Sequence, residues 1–320
     1  MPSESVPLLQ LMQTKGVGPR TVARVLDLLD RDELSLHEFT GLAPEEMAAR
    51  FGLGEDQARS IHANEDMAVQ MAELLEDRHI RAILRLTSSY PGRLKEVLAD
   101  QAPPVLFVAG PPNLLHRRGV GFCGARDASD EALRCADQVA RALVQYDLLV
   151  VSGHAAGVDE TAHRAALDAG GQTALVLPEG ILHFRPRASI AELLTEDNAV
   201  VVSEFSPRLP WSAANAMQRN RTICGLVHAL IVIEAGTTGG TWEAGQVALR
   251  LGIPLFVLDY ADPAPSGKGN PLLLKKGGRP LPCHPGEQSD LTSLMDALDL
   301  PLTNARSVQP TLFDHLAKEV

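Results

Sequence analysis

The chain has 320 residues, 45% of them hydrophobic, with 40 acidic against 29 basic side chains and a formal net charge of -11. That length and apolar content suffice for a full core and two domains, whereas the acidic balance excludes a globally basic nucleic-acid binder. Any such surface must be local, assembled by the fold from a few arginines and lysines.

No charged leader precedes an apolar stretch, and no run of about 18 apolar residues occurs, which predicts a cytoplasmic protein with no membrane partner. The four cysteines, Cys123, Cys135, Cys224 and Cys283, lack paired spacing and read as free buried thiols. A zinc site at Cys283-His284 lacks a second ligand pair, so neither metal nor cofactor is expected.

Residues 1–77 read as a small helical domain. Residues 8–12 (LLQLM) are followed by the turn Gly16-Val17-Gly18-Pro19, after which Val22, Val25, Leu26 and Leu29 form an i, i+3, i+4, i+7 stripe. Two helices joined by Gly-x-Gly make a helix-hairpin-helix pattern, whose turn amides can hold a phosphate between Lys15 and Arg20. A second helical stretch over 44–76 carries another such turn, Gly52-Leu53-Gly54.

The texture changes at residue 78. Residues 80–84 read as a strand, Tyr90-Pro91 opens a short helix through Leu94 and Leu98, and Pro103-Pro104 stops it before a strand at 105–108. Strands are then expected at 120–123, 148–151, 173–177, 199–203, 229–233 and 254–258. Helices are expected between them at 129–144, 159–169, 189–194, 213–226 and 241–251. Runs such as LLVV and ALIVI suit parallel strands covered on both faces. The expected fold is α/β: an extended Rossmann-like parallel sheet over 78–282, with the helix-hairpin-helix-like unit before it. A tail over 283–320, with one weak helix at 291–298, follows.

Several of these strands end in Gly-rich turns, which in a parallel sheet gather at the carboxyl edge where ligands bind. Turn amides and helix N-termini suit that edge to phosphate. In the first loop Gly124 lets a phosphate approach, Arg126 is placed to pair with it bidentately, and Ser129 reads as an N-cap. The second loop is Ser152-Gly153-x-Ala155-x-Gly157-x-Asp159, with Asp159 as the helix cap. His163 reads as a structural residue, because no nucleophile stands at a recognised triad spacing.

Arg185 and Arg187 follow the Gly180 turn towards the same surface. Arg219-Asn220-Arg221 places two arginines on one helix, and at least one must face a partner or a carboxylate. Glu234 ends its strand where it can order loop amides or grip a ribose hydroxyl. Gly239-Gly240-Thr241 then opens a helix as a further phosphate site. Gly267-Lys268 is not a P-loop, since Asp262 stands where the first glycine belongs. Gly121-x-x-Gly124 lacks the third glycine of a dinucleotide fingerprint.

Taken in order, Tyr90-Pro91…Leu94, Gly124-Ala125-Arg126…Ser129, the Ser152–Asp159 loop with Ala162-His163, Ser203-Glu204, Arg219-Asn220-Arg221-x-Ile223-x-Gly225-Leu226, Glu234-Ala235 and Gly269-Asn270-x-Leu272-Leu273…Gly277 resemble the DprA/Smf DNA-processing family. The resemblance covers about residues 80–280 and the helical unit. It implies a single-stranded DNA-binding protein that forms a homodimer and loads a RecA-type recombinase during natural transformation. It assigns no catalytic residue. Arg126, Arg219, Arg221 and the 152–157 loop would line the DNA groove, with binding steeply dependent on salt.

The chain also departs from the family pattern. Leu182 and Arg185-Pro186 stand where an Asp and a Tyr-Pro are usual, and Ala216-Met217 replaces a Phe-Pro. The C-terminal winged helix of many members is expected to be absent or reduced to a stub. Gly239-Gly240-Thr241 followed by Glu243 is similar to LOG-type nucleoside-monophosphate phosphoribohydrolases, which implies a rival reading. In it Arg221 and Glu243 act on an N-glycosidic bond. A nucleotide-sensing module without turnover is the third reading.

Overall fold

The structure, a computed structural model, describes residues 2–259, 264–283, 286 and 289–300. Asp262 of the P-loop comparison, His284 of the zinc reading and the tail beyond residue 300 lie outside the described residues.

Six helices come first: α1 (Pro2–Gln13), α2 (Pro19–Arg31), α3 (Leu36–Thr40), α4 (Pro44–Phe51), α5 (Glu55–Ala63) and α6 (Glu65–Asp77). Pro19 and Pro44 stand at first helical positions, where the missing N–H costs nothing. The stripe Val22, Val25, Leu26 and Leu29 is buried along α2. Ser35 and Glu38 close a capping box on α3. The expected single stretch over 44–76 is divided, because Gly52 ends α4 in the left-handed region at φ 63°.

The α/β part then runs β1 (Ile80–Leu84), α7 (Gly92–Leu98), β2 (Val105–Ala109), β3 (Gly119–Cys123), α8 (Asp130–Gln145), β4 (Leu149–Ser152), α9 (Val158–Asp168) and β5 (Thr173–Val176). It continues with α10 (Ala188–Ala191), β6 (Ala199–Ser203), α11 (Ala213–Leu226), β7 (Ala229–Val232), α12 (Gly240–Arg250), β8 (Leu255–Leu258), α13 (Asn270–Lys275), β9 (Arg279–Leu281) and α14 (Thr292–Leu298).

The nine strands form one sheet in the order β1-β2-β6-β5-β4-β3-β7-β8-β9. Strands β3 to β9 are parallel, as expected for the Rossmann-like part. One strand of the extension departs from the parallel pattern: β2 runs antiparallel to both β1 and β6. An apolar run specifies a strand but not its direction, and direction here follows from the short excursion through α7. The sequence reading also lacked β9, a three-residue edge strand carrying Pro280.

Side-chain alternation sends each strand to two cores. On one face, Val105, Phe107, Leu175, Leu177 and Val201 share a continuous core with Leu8, Phe39 and Phe51 of the helical unit. Farther along that face, Val120, Phe122, Val150 and Ile231 pack against α8, α9 and α14. The other face buries Leu106, Val108, Val176, Val202 and Val232 beneath α7, α11 and α12. The helices before β1 are therefore a cover for half of one sheet face. All four cysteines are free and buried. Among the described residues no helix is long and apolar enough to cross a membrane.

Candidate nucleic-acid interface

The carboxyl ends of β3 to β7 lead into loops 124–129, 153–157, 177–187, 204–212 and 233–239 on one edge. Chain order diverges between β3 and β7, the switch point at which open α/β sheets place ligands. Here the protein fills that crevice itself. The buried Glu234 carboxylate accepts from the Ser129 N–H (2.9 Å), the Ser129 hydroxyl (2.7 Å) and the Ser266 hydroxyl (2.8 Å). Ser129 Oγ accepts in turn from the Ala132 N–H at 3.2 Å and caps α8. The positive end of that helix favours the carboxylate beneath it. Of the two readings of Glu234, the ordering of loop amides is the one in place.

Gly124 and Gly157 lock the first two loops together. A Cβ on Gly124 would lie 2.2 Å from Val158 Cγ2. On Gly157, at φ +76°, a Cβ would lie 2.5 Å from the carbonyl oxygens of both Ala125 and Arg126. Ser152 Oγ donates to the Phe122 carbonyl at 2.7 Å, joining the ends of β4 and β3. A Cβ on Gly153 would stand 1.8 Å from Arg219 Nη1, so the guanidinium occupies that space. Arg219 is only 8% exposed; its Nη1 donates to the Val176 carbonyl at 3.0 Å, and its buried Nε has no protein partner.

The cap expected from Asp159 is not formed. Gly157 holds the N-cap position, and Asp159, buried in the first turn of α9, accepts from the Ala155 N–H at 3.3 Å. Asp159 thus orders the loop before its helix. His163 is structural, as the sequence suggested: Nε2 lies 2.7 Å from the Gly153 carbonyl and Nδ1 lies 2.6 Å from Thr173 Oγ1. Burial lowers its pKa to about 4, so the neutral ring donates from Nε2 to Gly153.

This has a pH consequence. An unfolded histidine takes up its proton near pH 6.5, whereas folded His163 does so only near pH 4. The unfolded chain therefore binds the extra proton between those values. Stability is complete above pH 6.5 and falls as the pH is lowered towards 4, by up to about 3 kcal/mol. Urea unfolding at pH 7 and pH 5 measures this slope. His163→Gln is expected to remove its share of it, and an identical slope in the variant would show that the ring is not held neutral.

Above this scaffold the rim is basic and aromatic. Arg126 is exposed, and its guanidinium carbon stands 5.9 Å from the ring centroid of Trp211, which is 52% exposed. Trp211 belongs to loop 204–212, which is zipped to loop 177–187. The Gly180 N–H donates to the Leu209 carbonyl (2.8 Å) and the Leu182 N–H to the Pro207 carbonyl (3.1 Å). A Cβ on Gly180 would meet the Ser206 and Pro207 carbonyl oxygens at 2.3 Å. Arg185 and Arg208 are exposed on the same two loops. The His154 and Phe184 rings lie 5.2 Å apart, and His154 Nε2 donates to the Arg185 carbonyl at 2.8 Å. Arg187 Nη2 donates to the His154 carbonyl at 3.2 Å.

At the N-terminus of α12, Gly239 (φ +96°) and Gly240 have open space where a Cβ would point, with Thr241 half-buried behind them. Buried Asn220 donates from Nδ2 to the Gly240 carbonyl at 3.1 Å, joining α11 to α12.

Two predicted residues stand apart from the rim. Arg221 points away from Arg219 on α11 and donates from Nη1 to Gln101 Oε1 at 2.9 Å. Glu243 is held by Arg250 at 2.6 Å and by Gln246 at 3.4 Å. Arg221 and Glu243 make no ion pair with each other. The structure therefore turns Arg126 and the Gly239–Gly240 turn outwards, and it leaves Arg185 exposed with Nη1 donating to the Leu182 (3.2 Å) and Phe184 (2.6 Å) carbonyls of its own loop. Gly124, Ser129, Ser152, Gly153, Gly157, Arg219 and Asn220 form the frame beneath them.

Trp211 was missed in the sequence, although the signal was there: one of two tryptophans, in the polar, Pro-rich stretch Ser206-Pro207-Arg208-Leu209-Pro210-Trp211-Ser212. An aromatic in such a loop has no helical or strand period to bury it.

The family model described as DNA recombination-mediator protein A matches residues 81–288, well over half of the chain. Protein Smf of Escherichia coli (strain K12) is 33% identical over 190 residues, covering 59% of this chain and 50% of that protein. The chain thus spans about half the length of that relative. Among solved structures, DNA processing protein A from Streptococcus pneumoniae aligns with a TM-score of 0.73 at 24% identity, over 86% of this chain and 94% of the other. A structure of DNA processing protein A from Helicobacter pylori, described by its single-stranded DNA binding mode, aligns with a TM-score of 0.54 at 23% identity. It covers 63% of this chain and 90% of the other. Both likenesses show the fold, a Rossmann-like sheet extended at its edge.

Proposed function

Because the chain belongs to the DNA recombination-mediator protein A family, we propose that it binds single-stranded DNA along the carboxyl edge of its sheet. The observation that carries this reading is the exposed Trp211 with Arg126 beside it, on a chain that is otherwise strongly acidic. A base stacks on the indole while Arg126, Arg185 and Arg208 follow the phosphates. The open amide end of α12 receives a further phosphate. Unpaired bases are needed for stacking, so single strands are preferred to duplex. In the cell the protein acts in DNA processing, as a cytoplasmic homodimer that loads a RecA-type recombinase onto single strands during natural transformation. The glycosidase reading draws no support, since Arg221 and Glu243 have other partners.

A salt titration of a fluorescent single-stranded oligonucleotide, with duplex of the same sequence beside it, tests the reading. The three arginine–phosphate contacts give a slope of log affinity against log salt of about -2, or roughly a 20-fold loss between 50 and 200 mM. Equal affinity for duplex, or no binding at low salt, would overturn it.

A further inference from the structure

A second cationic groove lies on the same edge, between the helical unit and the first strands. Its position follows from register. β6 ends at Ser203, opposite Phe107. β2 begins two residues further out at Val105, which pairs with Leu84. Arg85 and the segment 99–104 therefore stand at the carboxyl edge that also carries Arg126.

Between them and α2 is a groove of about 420 Å³ lined by Arg20, Arg24, Asp27, Arg31, Arg85 and Asp100. Four guanidinium groups against two carboxylates make a local positive excess on a chain of net charge -11. Arg20, Arg24 and Arg31 fall on one stripe of α2, away from the buried Val22, Val25, Leu26 and Leu29.

Two of these charges, on Arg85 and Arg31, have carboxylate partners, and those on Arg20 and Arg24 make no ion pair among the described residues. Arg85 is buried and tied to Asp27 and to the Asp100 carbonyl, joining α2 to the sheet. Arg24 donates to the Gly52 carbonyl at 2.8 Å, which leaves its charge uncompensated. Arg31 pairs with Asp32, yet its side chain is 68% exposed. Arg20 is exposed and has no side-chain partner among the described residues. It follows directly on the turn Gly16-Val17-Gly18-Pro19.

Arg221 of α11 stands beside this groove. It leaves α11 in the direction away from Arg219 and reaches Gln101, the neighbour of the groove residue Asp100. From β3, which carries Arg126, to β1 is five strand steps, about 24 Å at the usual spacing of about 4.8 Å.

We propose that this groove is a second phosphate-binding segment, which takes the same DNA strand after it leaves the Trp211 rim, past Arg221 and onto α2. The proposal rests on the single-strand reading above and adds a track length to it. The ligand is the sugar–phosphate backbone, held by charge and without stacking, since no aromatic side chain lines the groove.

Oligothymidines of two lengths separate the proposal from the reading beneath it. One of about 6 nucleotides, about 20 Å at stacked spacing, occupies the rim alone. One of about 20 nucleotides reaches both segments. The double variant Arg20→Ala/Arg31→Ala is expected to bind the short oligonucleotide as the wild type does, and the long one about tenfold more weakly. Its salt slope on the long strand is expected to fall by about 1.4, for two lost contacts. Arg20→Lys/Arg31→Lys, which keeps the charge, is expected to restore most of the loss. Failure of the wild type to bind the short strand would sink the rim reading. Wild-type affinity of the double variant for the long strand would overturn the groove, as would an equal loss on both lengths.

Discussion

Trp211→Ala is expected to weaken single-strand binding by roughly 5- to 150-fold, the equivalent of about 1–3 kcal/mol for one stacked base. Stability should fall by less than the roughly 3–5 kcal/mol of a buried tryptophan. Half of the indole is exposed, and the cation beside its ring belongs to another exposed side chain, Arg126. Removing it gives up only the packing of its covered half. Trp211→Phe should retain much of the affinity, because the smaller ring still offers a face.

Arg126→Ala should lose a phosphate contact and the cation beside the ring together. The two residues act on neighbouring parts of one strand, so the double variant should lose less than the sum of the two single losses. Anisotropy titrations with the four variants, set against their melting temperatures, measure all of this. If Trp211→Ala binds like the wild type while remaining folded, the strand does not cross this rim.

Gly157→Ala should be the most damaging single methyl group on the edge. Its backbone sits at φ +76° and ψ -121°, outside the left-handed helical region and open to glycine, a conformation costing an L-residue about 1–3 kcal/mol. The added Cβ would also press on two carbonyl oxygens at 2.5 Å. Those oxygens belong to backbone that cannot rotate away, so overpacking adds about 1–3 kcal/mol. The expected loss is about 2–6 kcal/mol in urea unfolding, accompanied by loss of DNA binding, because the 124–129 loop that carries Arg126 is displaced.

Gly239 provides the contrast. Its φ is +96°, but nothing lies within 4 Å of a Cβ there. Gly239→Ala should cost only the conformational strain, about 1–3 kcal/mol, and should leave the Arg126 loop in place. Equal unfolding midpoints for Gly157→Ala and the wild type would mean that the two loops do not interlock as described.

The fold was legible wherever a signal is local. The helix expected at 213–226 is found at Ala213–Leu226, because Ser212 caps it and the apolar strand after it starts abruptly. The parallel strands were readable as apolar runs bounded by glycine or proline, since burial on both faces leaves no polar alternation. The directions of β1 and β2 were not readable, nor was the three-residue β9. Pairing is chosen by partners far along the chain and leaves little mark on a five-residue segment.

The site was legible in outline and not in orientation. The glycine-rich turns were found, yet Arg219 and Arg221 were taken together although two residues on a helix are about 200° apart. One lies under the 153–157 loop and the other reaches Gln101. Ser129 was legible as the cap of α8, but not as a partner of Glu234, 105 residues later, which takes both its N–H and its hydroxyl.

By itself, the sequence determined the α/β class, the order of most elements, and the gathering of glycine turns at one sheet edge. Each depends on backbone preference and apolar period, which act over a few neighbouring residues. Only the tertiary structure decided which polar groups remain open to a ligand. A buried donor or charge must find its partner wherever the fold places one, so the residues left facing outwards, Arg126 and Trp211 foremost, are settled by contacts between distant loops.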